Sequence, residues 1–155
     1  MCCIDRGRGA ILSFHLSPTR SPNANERQII NPWAWQDRFG FVQAQAVRGG
    51  ERTIYCAGQT SVDADGNPIH EGDMVAQVGQ ALDNLEEVLR ASGCGLSDVV
   101  RLNYYTTDVD GVFPPMEVLV PRLTEAGCLP ASTLLEVSRL ALPPLMVELE
   151  ATAVV

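Results

Sequence analysis

The sequence predicts an α+β domain in which one sheet carries two helices on one of its faces. Three observations lead there. β-rich runs and helical stripes follow one another in the order β-β-α-β-α-β-β. Two separate stretches place apolar residues three and four apart. The C-terminal run "VELEATAV" alternates with the period of a strand buried on one side. A chain of 155 residues, 46% hydrophobic and 19% charged, is long enough to bury one core and reads as one domain.

The elements follow in order. Residues 1–28 are rich in Gly, Arg, Ser and Pro, with "SPTRSPNANER" as a linker-like stretch, and are expected to be a mobile extension ahead of a domain over 29–155. "FGFVQAQAV" and "RTIYCAGQT" are β-rich runs, and Arg48-Gly49-Gly50-Glu51 between them predicts a hairpin turn. "DADGNP" is a loop by its turn chemistry. Asp73 can cap a helix reaching about residue 92, with Val75, Val78, Leu82, Leu85 and Leu89 as its apolar stripe and Gly93 past its end. "DVVRLNYYTTD" alternates, with Val100, Leu102 and Tyr104 on one face. A turn over 108–111 and Pro114-Pro115 then precede a second helix, 116–125, burying Met116, Leu119, Val120 and Leu123. Strands over 133–137 and 145–154 complete the sheet.

Composition excludes several chemistries. All eleven basic residues are arginine, so neither a lysine Schiff base nor a P-loop is available. Beyond residue 28, seven arginines face seventeen acids, a net of −10, which repels a phosphate backbone; nucleic acid is not an expected partner. No apolar run reaches the roughly 18–20 residues of a membrane span. The stretch 10–16 is short, ends at Ser17-Pro18 and has no small-residue cleavage site after it, so the chain reads as cytoplasmic. Cys2, Cys3, Cys56, Cys94 and Cys128 show no metal or disulfide spacing, and His15 and His70 stand far apart; reduced thiols and no metal are expected. Cys56 and Cys128 read as small buried hydrophobes, because no cation nearby in sequence would favour a thiolate.

The last strand poses a question. Val147, Leu149 and Ala151 would face the helices, which turns Glu148 and Glu150 together to the other face. Either both meet water, or one serves a site.

Order and local sequence resemble the RidA family (reactive intermediate deaminase, also called YjgF-like). The matching pieces are "GQT" at Gly58, "QVGQALDNLEEVL" from Gln77, "GLSDVVRLNYYTTD" from Gly95, "PASTLLEVSRL" from Pro130 and "VELEATAV" from Val147, collinear over residues 38–155. The resemblance implies a chorismate-mutase-like fold and a homotrimer whose sheet faces surround a common axis, with a ligand cleft between neighbouring subunits. It also implies hydrolysis of enamines and imines to a 2-keto acid and ammonia, without metal or organic cofactor. Gly58 matches the backbone-binding glycine of that family and Glu148 the glutamate that orients water.

Other positions depart from the pattern. Ser132 stands where the family clamps the substrate carboxylate with an arginine; a hydroxyl donates one neutral hydrogen bond where a guanidinium donates two charged ones. Phe41 aligns with a cleft tyrosine, Pro115 with an asparagine at the second helix, and Ala57 with the serine before the glycine; Cys128 would flank the cleft. Arg122 and Arg139 are the candidate substitutes for the clamp, but Arg139, at a strand end, reads as an ion-pair residue and Arg122, on the second helix, as solvent-facing. The family's reported ribonucleases find little support here, given the acidic domain. Two function classes follow: an imine- or enamine-type hydrolase using Glu148-activated water, with small 2-imino acids as poor substrates, or a non-catalytic binder or sensor of a small metabolite on the same trimer.

Overall fold

The structure, a computed structural model, describes residues 26–155. Residues 1–25, most of the expected extension, lie outside the described residues, as do Cys2, Cys3 and His15. Residues 26–28 belong to strand β1 (Glu26–Ile30), which pairs antiparallel with β2 (Ala44–Arg48) in a small two-stranded sheet. This pairing replaces the expected hairpin. Residues 49–52 bend the chain, with Gly49 at φ +80°, but the N–H groups of Glu51 and Arg52 donate to the Val155 carbonyl. Turn chemistry reports where a chain bends and says nothing of what its flanks pair with.

The main sheet contains β3 (Thr53–Tyr55), β4 (Gln59–Thr60), β5 (Val99–Thr106), β6 (Ala131–Glu136) and β7 (Val147–Val154), in the order β3-β7-β5-β6 with β4 also on β7. Strands β5 and β6 are parallel; the other pairs are antiparallel. The run expected over 52–60 is thus one edge broken in two. β3 lies on the C-terminal end of β7, with Tyr55 opposite Thr152, and β4 lies further back, with Thr60 opposite Glu148. On β5 a bulge between Val99 and Arg101 shifts the alternation, so Val99 rather than Val100 joins Leu102 and Tyr104 inside.

Helix α1 (Met74–Ala91) begins where expected: the Asp73 carboxylate accepts from the Ala76 N–H at 3.0 Å. Val78, Leu82, Leu85 and Leu89 are buried, while Met74 takes the place expected for Val75, which is half exposed. Helix α2 (Val109–Glu125) starts seven residues earlier than the prolines predict. Asp108 is its cap, accepting from the Gly111 N–H at 2.9 Å, and Pro114 and Pro115 fall in its second turn. Proline there removes a donor to the preceding turn, which is why sequence alone assigns it to a helix start. Val112, Leu119 and Leu123 of α2 join the α1 stripe and the inner face of β5 and β7 in one core. Burial of each leucine there contributes about 1.5–3 kcal/mol.

Two amides on α1 fix the positions of β4 and β7. The buried Gln77 donates to the carbonyls of Pro144 (2.8 Å) and His70 (3.2 Å) and accepts from the Met146 N–H (2.8 Å), just before β7. About two turns later on the same helix, Asn84 donates to the carbonyls of Thr60 (2.9 Å) and Val62 (3.0 Å), at and just past the end of β4. Helix α1 therefore sets the relative position of β4 and β7.

Candidate functional site

On β7, Val147, Leu149, Ala151 and Ala153 are buried, and Glu148 and Glu150 point to the opposite face, as the alternation predicts. The two carboxylates differ in their partners. Glu150 Oε2 accepts from Tyr105 Oη (2.8 Å) and Asn103 Nδ2 (3.1 Å). Those bonds, Asn103's first and then Tyr105's, hold the Glu150 carboxyl below the usual carboxylate range. The Glu148 carboxylate accepts no hydrogen bond among the described residues, although its backbone is paired with Thr60 of β4 and Tyr105 of β5 in the sheet register. It lies across the break between β3 and β4: a Cβ added to Gly58 would fall 1.6 Å from Glu148 Oε1. Gly58 is exposed and lets the carboxylate rest on bare backbone, and Ala57, also exposed, precedes it with its carbonyl bonded by Gln59.

Ser132 sits elsewhere. In the sheet register it neighbours Leu102 of β5, whereas Glu148 neighbours Tyr105. Positions 102 and 105 differ by an odd number, so they face opposite sides of the sheet. Ser132 thus lies on the helix side and Glu148 on the other; one chain does not bring them together. Ser132 Oγ is buried without a hydrogen-bond partner. With Tyr104 and Leu134 it lines a cavity of about 710 Å³ between β5, β6 and the outer side of α2.

The rest of that wall is aromatic. Trp35, Phe39 and Phe41 line it, with ring centroids 5.8 Å apart for Trp35 and Phe41 and 6.4 Å for Phe39 and Phe41. Phe113 and Met116 close the α2 side. Four of the chain's six tryptophans and phenylalanines line this one space. The segment is pinned at its C-terminal end. A 3-10 turn over Asp37–Phe39 ends at Gly40, whose φ is +70° and whose added Cβ would fall 2.7 Å from Val120 Cγ1 on α2. Two residues on, the Val42 N–H donates to the Pro130 carbonyl at 3.0 Å, at the start of β6.

Sequence reasoning placed Phe41 and Ser132 in a cleft, and both line the cavity. It missed Trp35, Arg38, Phe39, Phe113 and Glu117; the density of aromatics over 33–41 was the signal available. Pro115 is turned away, buried between α2 and α1 beside Val78 and Leu82. Cys128 lies outside the cavity, 1% exposed, its thiol pushed up to about 12 by burial although the charge of Arg27 acts the other way. Burial, then Cys94, also raises the Cys56 thiol, so neither is a ready nucleophile. Arg122 is taken by Asp83 (2.8 Å) and Glu86 (2.9 Å), and Arg139 lies outside the cavity. No three His, Cys, Asp or Glu side chains among the described residues gather as a metal would require, and no helix there is long and apolar enough to cross a membrane.

The family model for endoribonuclease L-PSP, the RidA/YjgF family, matches residues 38–155. The chain belongs to the RidA family. Among relatives, a RutC family protein of Pyrococcus horikoshii is 33% identical over 110 residues, covering 71% of this chain and 84% of its own. The mouse (Mus musculus) 2-iminobutanoate/2-iminopropanoate deaminase is 35% identical over 146 residues, covering 94% and 93%. A Rid-family protein of unknown function from Yersinia pestis superimposes with a TM-score of 0.75 at 34% identity, over 83% of this chain and 98% of that one. The YjgF protein of Escherichia coli does so with a TM-score of 0.58 at 29% identity, over 74% and 87%. The two helices and mixed sheet are those of RidA-family structures.

Proposed function

We propose that the protein is a homotrimer that binds a small metabolite in clefts between subunits and hydrolyses an imine- or enamine-type C–N bond there. The observation that carries this reading is the division of the site: the Ser132 cavity and the Gly58–Glu148 pair occupy opposite faces of one sheet. A cleft containing both needs two chains. Packing of sheet faces around an axis supplies one chain's Glu148 to the next chain's cavity, and closed rotational symmetry repeats the arrangement. At each cleft Glu148 accepts a proton as water oxygen bonds to the imine carbon and the C=N π pair moves to nitrogen, and it returns that proton to nitrogen to give a carbinolamine. Glu148 then takes the hydroxyl proton as the carbonyl forms and passes it to nitrogen as the C–N bond breaks, leaving a carbonyl compound and ammonia. Gly58 keeps the carboxylate close to the backbone that holds the substrate.

Small 2-imino acids are poor substrates in this reading, because Ser132 offers one neutral donor where a guanidinium clamp would offer two charged ones. That same substitution favours the second reading, a binder or sensor that keeps the cavity without turnover. The acidic domain disfavours RNA as the substrate. Light scattering combined with subunit mixing tests the proposal. Glu148→Gln chains and chains with the cavity filled by Ser132→Trp are each inactive alone. Mixed trimers recover about a quarter of the wild-type clefts, the fraction in which an intact cavity meets an intact glutamate. A monomer at micromolar concentration, or no recovery on mixing, overturns the divided site. Ligand binding without turnover in the wild type establishes the sensor.

A further inference from the structure

Among the described residues, two charged side chains line the cavity, Arg38 and Glu117. Arg38 lies on the 3-10 turn, with its Cζ 4.6 Å from the centroid of the Phe39 ring. It forms no ion pair among the described residues, unlike Arg27, Arg90 and Arg122. A guanidinium laid over a ring at the rim of an apolar cavity is held in a plane, presenting its N–H fork to whatever enters. The volume, about 710 Å³, lies in the range of small-molecule sites and exceeds what a three- or four-carbon acid fills. Trp35 and Phe41 meet edge to face, leaving an aromatic surface against which a ligand ring can pack.

The geometry points to a ligand with an aromatic body and a carboxylate end: the ring packs among Trp35, Phe39 and Phe41, and Arg38 binds the carboxylate. The anion partner has moved from the strand position of Ser132 to the loop. For the proposed hydrolase, on which this inference rests, the substrate class becomes an aromatic 2-imino acid. Arg38 is then a specificity-determining residue. Ser132 Oγ, buried and without a partner, remains available to the polar end of the same ligand.

Calorimetric titration of the full chain with three probes tests this: 3-phenylpropanoate, its amide and propanoate. The expected order is 3-phenylpropanoate tightest, the amide weaker by about tenfold for loss of the charge-assisted pair, and propanoate weakest for loss of the ring. Arg38→Gln should remove the preference for acid over amide while leaving the amide's affinity unchanged; Arg38→Lys should restore part of it. Trp35→Ala should weaken both aromatic probes alike. Propanoate binding as tightly as 3-phenylpropanoate, an acid-to-amide preference untouched by Arg38→Gln, or no binding of either aromatic probe overturns the inference. These outcomes are independent of Glu148. Hydrolysis that depends on Glu148 with no aromatic preference would sink this inference alone. Arg38-dependent binding with turnover indifferent to Glu148→Gln would sink the hydrolytic reading alone.

Discussion

Replacing Gly58 by alanine isolates the contact on which the proposed chemistry depends. The new methyl would stand 1.6 Å from Glu148 Oε1, 2.5 Å from Cδ and 2.8 Å from Cγ, so the whole carboxylate is displaced. To regain ordinary van der Waals contact Oε1 must retreat by nearly 2 Å, and a misplacement of about 1 Å already costs on the order of 10²-fold in rate. Folding should be little affected. Gly58 is exposed, its φ is not in the left-handed region, and glycine-to-alanine exchange at such a position changes stability by about 1 kcal/mol or less. The assay is hydrolysis of the imine that an amino-acid oxidase generates from phenylalanine, followed as loss of semicarbazone, alongside a thermal melt. The expected result is turnover reduced about 100-fold or more with an unchanged melt and undiminished binding of 3-phenylpropanoate. Undiminished turnover in a folded variant would refute the role of the Gly58–Glu148 contact.

Further outcomes can be checked separately. The Glu150 carboxyl is held low by Asn103 and Tyr105. Its contribution to stability is therefore present above the ordinary carboxylate pKa and lost as pH falls through the depressed folded value. Glu150→Gln should flatten the acid side of a melting-temperature profile; an unchanged profile would mean the Asn103 and Tyr105 bonds do not stabilise the charged form. Gln77→Met should destabilise the fold by roughly 1–3 kcal/mol for each backbone group left unsatisfied, read by urea denaturation; a neutral result would mean water replaces the amide. Cys128 should resist alkylation at neutral pH until the chain unfolds, as peptide mapping after iodoacetamide would record; rapid labelling of the native protein would contradict its burial.

How legible this molecule is from its sequence depends on the range of the interaction that decides each feature. Local periodicity fixes α1 and β7, because Leu82, Leu85 and Leu89 or Val147, Leu149 and Ala151 each carry their signal within a few residues. The start of α2 escapes because Pro114 and Pro115 announce a boundary that the Asp108 cap has already made. Val100 loses its predicted place to a one-residue bulge that leaves no mark in composition. Of the candidate site, alternation turns Glu148 and Glu150 to one face, and the family resemblance alone singles out Glu148, Phe41 and Ser132. The cavity wall is not: Trp35, Arg38 and Phe39 have no period, and only long-range packing of Gly40 on Val120 brings them to α2.

That clasp separates two jobs in the chain. Gly58 and Glu148 are set by strands that α1 holds through Gln77 and Asn84, so shifting those strands disturbs the core. The aromatic wall hangs from one turn, anchored at Gly40 and at the Val42–Pro130 bond, with Trp35, Arg38 and Phe39 largely facing solvent or the cavity. Exchange of those three side chains alters the lining without asking any strand to move. Selectivity can therefore drift across a lineage at little cost in foldability while Glu148, the proposed water-activating carboxylate, stays in place, and the same division offers a short segment, residues 33–41, as the natural target for retuning the proposed ligand by design.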